Sequence, residues 1–186
     1  MTETKLEYEG SRNEPGVCGT DIASRISKPF LKILRQRKST TRLFFELINK
    51  LDKFFCISRA VLIVINLNGN VLRVVAAWDN NSYPREGVIL TLPQKDSLFH
   101  RALDHGAMIN EPIFSRFPGN YVERKLLASK STCSLLVCPL CSNDLIFGLV
   151  GLTSLVPYAF ELIAEGCYEQ VFQRLGKLLC QDGMIL

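Results

Sequence analysis

Apolar and polar positions alternate with two different periods along this chain, and the periods separate helices from strands. Between residues 43 and 55 the apolar positions recur at steps of three and four, which places them on one face of a helix. The same spacing over 22–34 predicts a leading helix at 21–38, with Pro29 weakening its middle. A third series predicts a final helix over 158–179.

Two pairs of apolar, β-branched segments predict β-hairpins. Segments 60–67 and 71–78 flank Asn68-Gly69-Asn70, which is a tight-turn sequence. Segments 134–140 and 145–154 flank a second polar turn. Because the strands of a hairpin are antiparallel, the sequence predicts an antiparallel sheet between the helices.

The stretch between the hairpins carries shorter signals. Strands are predicted at 88–92 and 107–110. Between them lies a predicted helix over 98–105, which Ser97 caps at its start and Gly106 ends.

The strands at 60–65 and 145–152 are apolar at nearly every position, whereas a strand with one wet face alternates. Both faces of the sheet are therefore expected to be covered. Terminal helices can cover one face. The other requires residues 79–132, called the cover from here on. Its second half, 111–132, is polar and aromatic, with one or two helical turns predicted at 121–128.

The predicted fold is α+β: an antiparallel sheet of about six strands, with N- and C-terminal helices on one face and the cover on the other. A layer of loops and short helices over a sheet can enclose a small-molecule cavity. The predicted organisation is a flexible N-terminal arm at 1–20, the leading helix at 21–38, one domain at 39–180 and a C-terminal tail at 181–186.

Composition narrows the class of protein. The 186 residues are 47% hydrophobic and 22% charged, with a net charge of +4, which are ordinary values for a globular domain. No apolar run approaches the roughly 20 residues that span a bilayer. The polar, mainly acidic start does not resemble a secretory signal. A cytoplasmic protein without a membrane partner is expected.

The first two predicted helices are basic, which raises the question of a nucleic-acid partner. No recognised DNA-binding motif accompanies these cations, so a solvated helix face is the preferred interpretation. The cations are Lys28, Lys32, Arg35, Arg37, Lys38, Arg42, Lys50 and Lys53.

Seven cysteines are present, and most lie within apolar patterns, which is typical of buried thiols in a reducing compartment. Cys133-x4-Cys138-x2-Cys141 has the spacing of a plant-type [2Fe–2S] ligand set. In a regular strand, however, Cys138 and Cys141 point to opposite faces. Buried thiols are therefore preferred over a metal or disulfide role for this set.

Taken in order, these segments are similar to the GAF family over about residues 40–179. Residues 46–78 resemble its opening helix and hairpin, 97–112 its middle helix and short strand, and 134–153 its closing hairpin. The PAS fold is the structural rival, and the long leading helix disfavours it. The residues that carry the resemblance are Ser58-Arg59-Ala60-Val61-Leu62-Ile63-Val64-Ile65, Gly69-Asn70-Val71-Leu72-Arg73-Val74-Val75-Ala76-Ala77, Gly106, Pro139-Leu140 and Phe147-Gly148-Leu149-Val150-Gly151-Leu152.

The resemblance implies a sensory or regulatory domain with a pocket under the cover and a homodimer through its terminal helices. GAF domains bind cyclic nucleotides, tetrapyrroles, metabolites or metals, and some bind nothing known, so the ligand stays open, with a small metabolite or nucleotide as candidates. A covalently attached bilin is disfavoured because the cover contains no cysteine. His100 or His105 can in principle ligate haem, but a surface imidazole is preferred for each.

Six residues in or beside the cover are candidate ligand contacts. An aromatic ring can stack on a planar ligand, and arginine can pair with a carboxylate or phosphate. The competing interpretation is that Phe117 and Tyr121 plug the sheet and leave no cavity. The candidates are Trp78, Asn110, Arg116, Phe117, Tyr121 and Cys133.

The predicted function is a regulatory module in which a small molecule binds between the sheet and the cover and shifts the terminal helices. The output is expected to be a signalling partner or another part of a larger protein. One alternative is a ligand-free dimerisation or docking module. A thiol or metal redox sensor is less favoured, as is an enzyme like the GAF-type methionine sulfoxide reductases, which act through pocket cysteines, because only Cys133 lies near the predicted pocket.

Overall fold

The computed structural model describes residues 39–66, 71–80, 82–89, 93, 95–142, 145–161 and 167–181. The predicted arm at 1–20 and leading helix at 21–38 lie outside these residues, as does the predicted tail after its first residue. Within the described part of the chain, no helix has the length and apolar character needed to cross a membrane.

Six antiparallel strands form one sheet in the order β3-β2-β1-β6-β5-β4. Five strands have eight to ten residues, and the edge strand β4 has three. The strands are β1 (Ile57–Asn66), β2 (Val71–Asp79), β3 (Ser82–Ile89), β4 (Ile109–Glu111), β5 (Ser134–Ser142) and β6 (Leu145–Ser154).

In the part of the chain that the structure describes, four helices pack around this sheet: α1 (Thr40–Phe55), α2 (Leu98–His105), α3 (Tyr121–Leu127) and α4 (Cys167–Gln181). The apolar stripe that predicts α1 is its buried face, and it includes Leu43, Leu47 and Leu51. Both α1 and α2 end at a residue with left-handed backbone, Cys56 after α1 and Gly106 after α2. Glycine adopts this conformation without strain, which explains why Gly106 marks a helix end in the sequence.

Along β1 and β6 both faces of the sheet are buried, as these near-continuous apolar strands predict. On one face, the terminal-helix face, α1 packs mainly on β1 and α4 mainly on β5, in a cluster that includes Leu62 and Leu140. On the other, the cover face, α2 packs mainly on β5 and α3 mainly on β1, in a cluster that includes Val61 and Val137. Because neighbouring strand residues point to opposite faces, a fully apolar strand supplies two cores at once. The α+β fold and the two covering layers are confirmed.

Several boundaries differ from the sequence-based ones. Strand β3 occupies Ser82–Ile89, whereas the apolar run predicts 88–92. Its pairing with β2 follows from the short connection after Asp79, and this pairing outweighs the polar character of its first residues. The last helix begins at Cys167. Tyr158, predicted to begin it, instead has left-handed backbone and donates its N–H to the Pro112 carbonyl, at 2.6 Å.

Candidate functional site

The predicted contact residues do not lie together in the structure. Two of these side chains, those of Trp78 and Asn110, lie away from the cover face. Trp78 belongs to the terminal-helix face, where it is 8% exposed and its Nε1 donates to Asn49 Oδ1 at 2.8 Å. Asn110 pairs with Leu136, whose side chain is on the same face. The structure therefore corrects the placement of both side chains: neither Trp78 nor Asn110 lies under the cover.

Phe117 lies in the cover and fills space rather than lining an open pocket. It packs against the apolar cluster of the cover face, and its ring meets Phe114 edge to face with centroids 5.9 Å apart. Leu98 and Phe99 from α2 and Leu127 from α3 are fully buried in the same cluster. Over these residues the cover packs directly on the sheet, which favours the plug interpretation for Phe117.

Arg116 and Tyr121 remain exposed on the outer surface of the cover. Tyr121 is 69% exposed, and Lys125 Nζ lies over its ring, 5.3 Å from the centroid. Tyr121 therefore does not plug the sheet. Its ring borders an open cleft instead.

This cleft, of about 750 Å³, lies between the start of β1 on the sheet and the C-terminal half of α3 with the loop that follows it in the cover. The volume is within the range of small-molecule sites. Four of its residues are cationic, and three more carry hydroxyl groups. The lining residues are Arg59, Asn80, Tyr121, Arg124, Lys125, Ala128, Ser129, Lys130, Ser131 and Leu155.

Arg59 joins the sheet to the cover at the base of the cleft. Its Nε donates to Asp79 Oδ2 at 3.0 Å, and an Nη donates to the Lys125 carbonyl at 2.9 Å. The second bond occupies a carbonyl at the C-terminal end of α3, a position that favours cations. Asp79 offsets one of the four cationic charges, so Arg124, Lys125 and Lys130 leave the cleft with an excess of positive charge.

A run of hydroxyl groups leads from the cleft wall at Ser129, which is half-buried, to Thr153, which is buried. Thr153 Oγ1 donates to the Leu127 carbonyl at 2.7 Å and pairs with Ser58 Oγ at 2.8 Å. Ser58 in turn pairs with Thr132 Oγ1 at 3.1 Å, and Thr132 pairs with Ser129 Oγ at 2.8 Å. Because a hydroxyl has one hydrogen to donate, the bond from Thr153 to Leu127 orients the whole run.

Among the described residues of the cover, Glu123 is the polar side chain that accepts the most hydrogen bonds, and it was not among the residues predicted from the sequence. Its side chain is fully buried in α3 and accepts four hydrogen bonds, of 2.6 to 3.0 Å. The donors are Ser97 Oγ and the backbone N–H groups of Leu98, Phe99 and Asn120. Asn120-x-x-Glu123 is a capping-box pattern, and this signal predicts the start of α3.

The histidines of α2 have local roles. His100 Nδ1 lies 2.9 Å from Ser97 Oγ, at the cap of the helix. His105 is exposed in its last turn. Neither faces the buried cluster of the cover as a ligand-binding imidazole would.

The predicted thiol set is separated in space. Cys133 lies before β5, and its Sγ donates to the Leu155 carbonyl at 3.1 Å. Burial raises the pKa of the Cys133 thiol. Cys138 and Cys141 lie further along β5. Both line a second cavity, of about 260 Å³, which is separate from the basic cleft. The register shift beside them places the extra residue, Phe147, in β6, so it adds no residue to β5 and leaves the expectation of opposite faces standing.

Comparisons with known proteins identify the fold. No protein-family model matches the sequence. No curated protein matches it. Among solved structures, the GAF domain of a two-component sensor histidine kinase from Bacillus halodurans is 20% identical, with a TM-score of 0.59, covering 76% of this chain and 93% of that one.

Two further solved structures show the range of functions on this fold. A GAF domain from an Acinetobacter phosphoenolpyruvate-protein phosphotransferase has a TM-score of 0.62 at 13% identity, covering 90% and 95% of the two chains. Free methionine-R-sulfoxide reductase from Neisseria meningitidis has a TM-score of 0.66 at 12% identity, covering 94% and 98%. The fold of this chain is GAF-like, and fold alone leaves the choice between regulation and catalysis open.

Proposed function

We propose that the chain is a sensory domain that binds a small anionic molecule, carrying a carboxylate or phosphate, in the cleft between Arg59 on the sheet and α3 in the cover. The observation that carries this proposal is the convergence of four cations on one cleft of small-molecule size. This keeps the ligand between sheet and cover, but at the end of that interface rather than beneath its apolar centre.

Arg59 and Tyr121 have different chemical roles in the cleft. Arg59 is held by Asp79 and by the Lys125 carbonyl, so its guanidinium is positioned before a ligand arrives. Tyr121 presents an exposed ring beside Lys125, which suits a planar group attached to the anion. The combination favours an aromatic carboxylate or a nucleotide over a simple inorganic anion.

Signalling requires that the ligand favours one arrangement of the terminal helices over another. We propose that the output passes through α1 and α4, and that two copies associate through these helices. Phe54, near the end of α1, is 63% exposed, so it offers a large apolar side chain to a second copy. Light scattering of the wild type and of Phe54→Glu tests the association. A smaller mass for the variant is expected, and two monomers or two equal dimers would contradict it.

The second candidate is a docking module that needs no ligand. The side chains that fill the centre of the cover favour it, because they leave the apolar part of the sheet–cover interface packed. A reductase has less support from the site: the raised pKa of Cys133, caused by burial, leaves less of the nucleophilic thiolate than an ordinary cysteine has. The chain is therefore proposed to be a regulatory protein rather than an enzyme.

Thermal-shift measurements followed by calorimetry test the ligand proposal. The probes are inorganic phosphate, nucleoside monophosphates, dicarboxylates and aromatic carboxylates. We expect at least one organic anion to raise the Tm and to bind more weakly as salt is added, because the charges are at the surface. Arg124→Gln/Lys130→Gln removes two exposed cations from the cleft and should weaken binding by roughly 10-fold, since each exposed, solvent-screened ion pair is worth up to about 1 kcal/mol.

The matched control is Lys177→Gln, which removes an exposed cation from α4 on the other side of the sheet. It should bind the same anion as tightly as the wild type. If no probe binds, or if both variants lose affinity equally, the cleft is not the site and the docking module becomes the better description.

A further inference from the structure

Four large apolar side chains are exposed at the end of the sheet where β6 finishes, and they are called the apolar patch here: Ile113, Leu155, Val156 and Tyr158. Each is between 39% and 55% exposed. Three of them follow β6, and Ile113 follows the edge strand β4. Single exposed apolar residues are common on protein surfaces, whereas a group of them in one place indicates an interaction site.

The backbone of the apolar patch is held by hydrogen bonds to the neighbouring segments. Leu155 donates its N–H to the Cys56 carbonyl at 3.1 Å, directly after α1. Tyr158 donates its N–H to the Pro112 carbonyl at 2.6 Å, which places Ile113 beside the segment that follows β6. The patch is therefore positioned before a partner arrives, so binding would cost little ordering of the chain.

Tyr158 has a backbone conformation that its side chain disfavours. Its φ is 59°, in the left-handed region that glycine adopts without strain and a bulky residue adopts only at a cost in free energy. The side chain is 51% exposed, so burial does little to offset that cost. Strained conformations recur at binding sites and active sites. A binding role therefore accounts for a tyrosine at this position better than folding does.

The charges beside the apolar patch differ between its two ends. Leu155 also lines the basic cleft, so the cleft cations Lys125 and Lys130 lie at that end. Glu161 is exposed at the other end, where its N–H donates to the Tyr158 carbonyl at 3.2 Å. An anionic group on a partner is therefore attracted at the Leu155 end and repelled at the Tyr158 end.

We propose that the apolar patch binds a segment of a partner protein in which acidic residues stand on one side of a group of apolar residues. The apolar side chains of that segment cover the patch, and its carboxylates reach the cations of the basic cleft. The asymmetry of charge favours a peptide over an anionic membrane, because a bilayer would bring lipid phosphates against Glu161 as well. Since the cleft is also the proposed site of a small anion, the anion and the partner compete for the same cations. Only this competition rests on the proposed function.

Selection from a random peptide library, with the full chain as the target, tests the surface. We expect the selected peptides to combine leucine, isoleucine or aromatic residues with aspartate or glutamate on one side. Fluorescence anisotropy then measures the Kd of the most enriched peptide. Ile113→Ser should raise this Kd about 10-fold, since anchor residues at interfaces often cost this much or more when they are truncated. A library enriched in basic or wholly polar peptides, or no enrichment at all, overturns the proposal.

Tyr158→Gly separates binding from folding. Glycine adopts a positive φ without strain, so the variant should keep the Tm of the wild type or raise it, while loss of the ring raises the Kd of the peptide about 10-fold. Leu145→Ser is the matched control, because Leu145 is 69% exposed at the opposite end of β6. It should bind the peptide as tightly as the wild type. An equal loss in Leu145→Ser, or an unchanged Kd in both patch variants, overturns the assignment.

Two further measurements identify other occupants of the apolar patch. Binding to phosphatidylserine vesicles that Ile113→Ser weakens would assign the patch to a membrane, and a smaller mass of Ile113→Ser in light scattering would assign it to a second copy. Either result overturns the proposal. An anion that binds the cleft without raising the Kd of the peptide overturns the competition. If the peptide binds and no small anion does, the proposed small-molecule function fails and the docking surface stands.

Discussion

Among single residues, Glu123 shows how one buried side chain can join two elements of the cover. It lies in the first turn of α3, and three of its four donors belong to the start of α2. The N–H groups of a first helical turn have no partner within their helix, so a carboxylate that accepts them stabilises the helix end. Glu123 thereby fastens α2 to α3 over the sheet.

Glu123→Gln tests this role. The amide replaces one acceptor oxygen by an NH₂ group, which would face the N–H donors of Leu98 and Asn120 or the donors Ser97 and Phe99. The free energy of unfolding should fall by about 2–4 kcal/mol, because hydrogen bonds to a charged group are lost and buried donors stay unsatisfied. Urea denaturation measures the change. Glu161→Gln, at an exposed position, should change it by less than about 0.5 kcal/mol.

Cys133 provides a second test at the residue scale. Burial raises the pKa of its thiol, and its Sγ donates to the Leu155 carbonyl, so the thiol form is favoured in the folded protein. Alkylation by iodoacetamide requires the thiolate. We expect Cys133 to react more slowly in the folded chain than in urea, with its rate profile displaced to higher pH. Mass spectrometry of the peptide that contains Cys133 measures both, and faster reaction in the folded chain would restore the reductase alternative.

At the scale of elements, regular patterns were readable from the sequence and irregular ones were not. The stripe that defines α1 and the turn at 68–70 predict a helix and a hairpin because burial repeats with the period of the backbone. The register shift beside Leu140 has no such signature, since the extra residue, Phe147, leaves the apolar run of β6 unbroken. The bulge breaks the alternation of β6, so Phe147 and Val150 lie on the same face although they are three positions apart.

The candidate site depends on longer-range placement, which is why only part of it could be predicted. Tyr121 lines the cleft as a cover residue should, whereas Trp78 faces the other layer because the register of β2 decides its side. Arg59 and Lys130 meet only after the chain has folded, and no local pattern links two cations so far apart in sequence. Asn120-x-x-Glu123 is the exception. Because its spacing is local, the capping box at the start of α3 can be predicted from the sequence.

Gly176 allows α4 to pack closely on the sheet. A Cβ at this position would lie 2.9 Å from Phe147 Cζ and 3.3 Å from the Cys141 carbonyl oxygen. Gly176→Val should lower the free energy of unfolding by about 1–3 kcal/mol, the usual cost of overpacking. Lys177→Val adds the same β-branched residue at the next, exposed position and should cost less than about 1 kcal/mol. Equal losses in urea denaturation would mean that helix propensity, not close packing, sets the cost.

At the scale of the whole molecule, the cleft and α1 are joined through the end of the sheet. The hydroxyl run from Ser129 to Thr153 lies behind the cleft wall, and the next residue, Ser154, donates from its Oγ to the Phe55 carbonyl at 2.5 Å. Phe55 is the last residue of α1, and Cys56 after it has left-handed backbone. A ligand that rearranges the loop at 128–132 therefore acts on the strand that holds the end of α1.

Thr153→Val separates this connection from simple packing, because the two side chains have similar shape and valine lacks the hydroxyl. The variant loses the bonds to Ser58 and to the Leu127 carbonyl, so the cleft loop should open more often. Amide exchange should become faster at 127–132 and, if the two ends are coupled, also in the last turn of α1. Strand amides at 149–151 report global unfolding and serve as the internal reference.

Ser154→Ala completes the comparison, since it removes the bond to Phe55 and leaves the hydroxyl run intact. It should speed exchange in the last turn of α1 without changing 127–132. If the cleft and α1 are coupled, Thr153→Val should speed exchange in both segments, whereas Ser154→Ala should speed it only in the last turn of α1. The reason is that Thr153 connects the cleft wall to the sheet, and Ser154 connects the sheet to α1. If Thr153→Val leaves the end of α1 as protected as in the wild type, the signal from the cleft must leave the domain by another route.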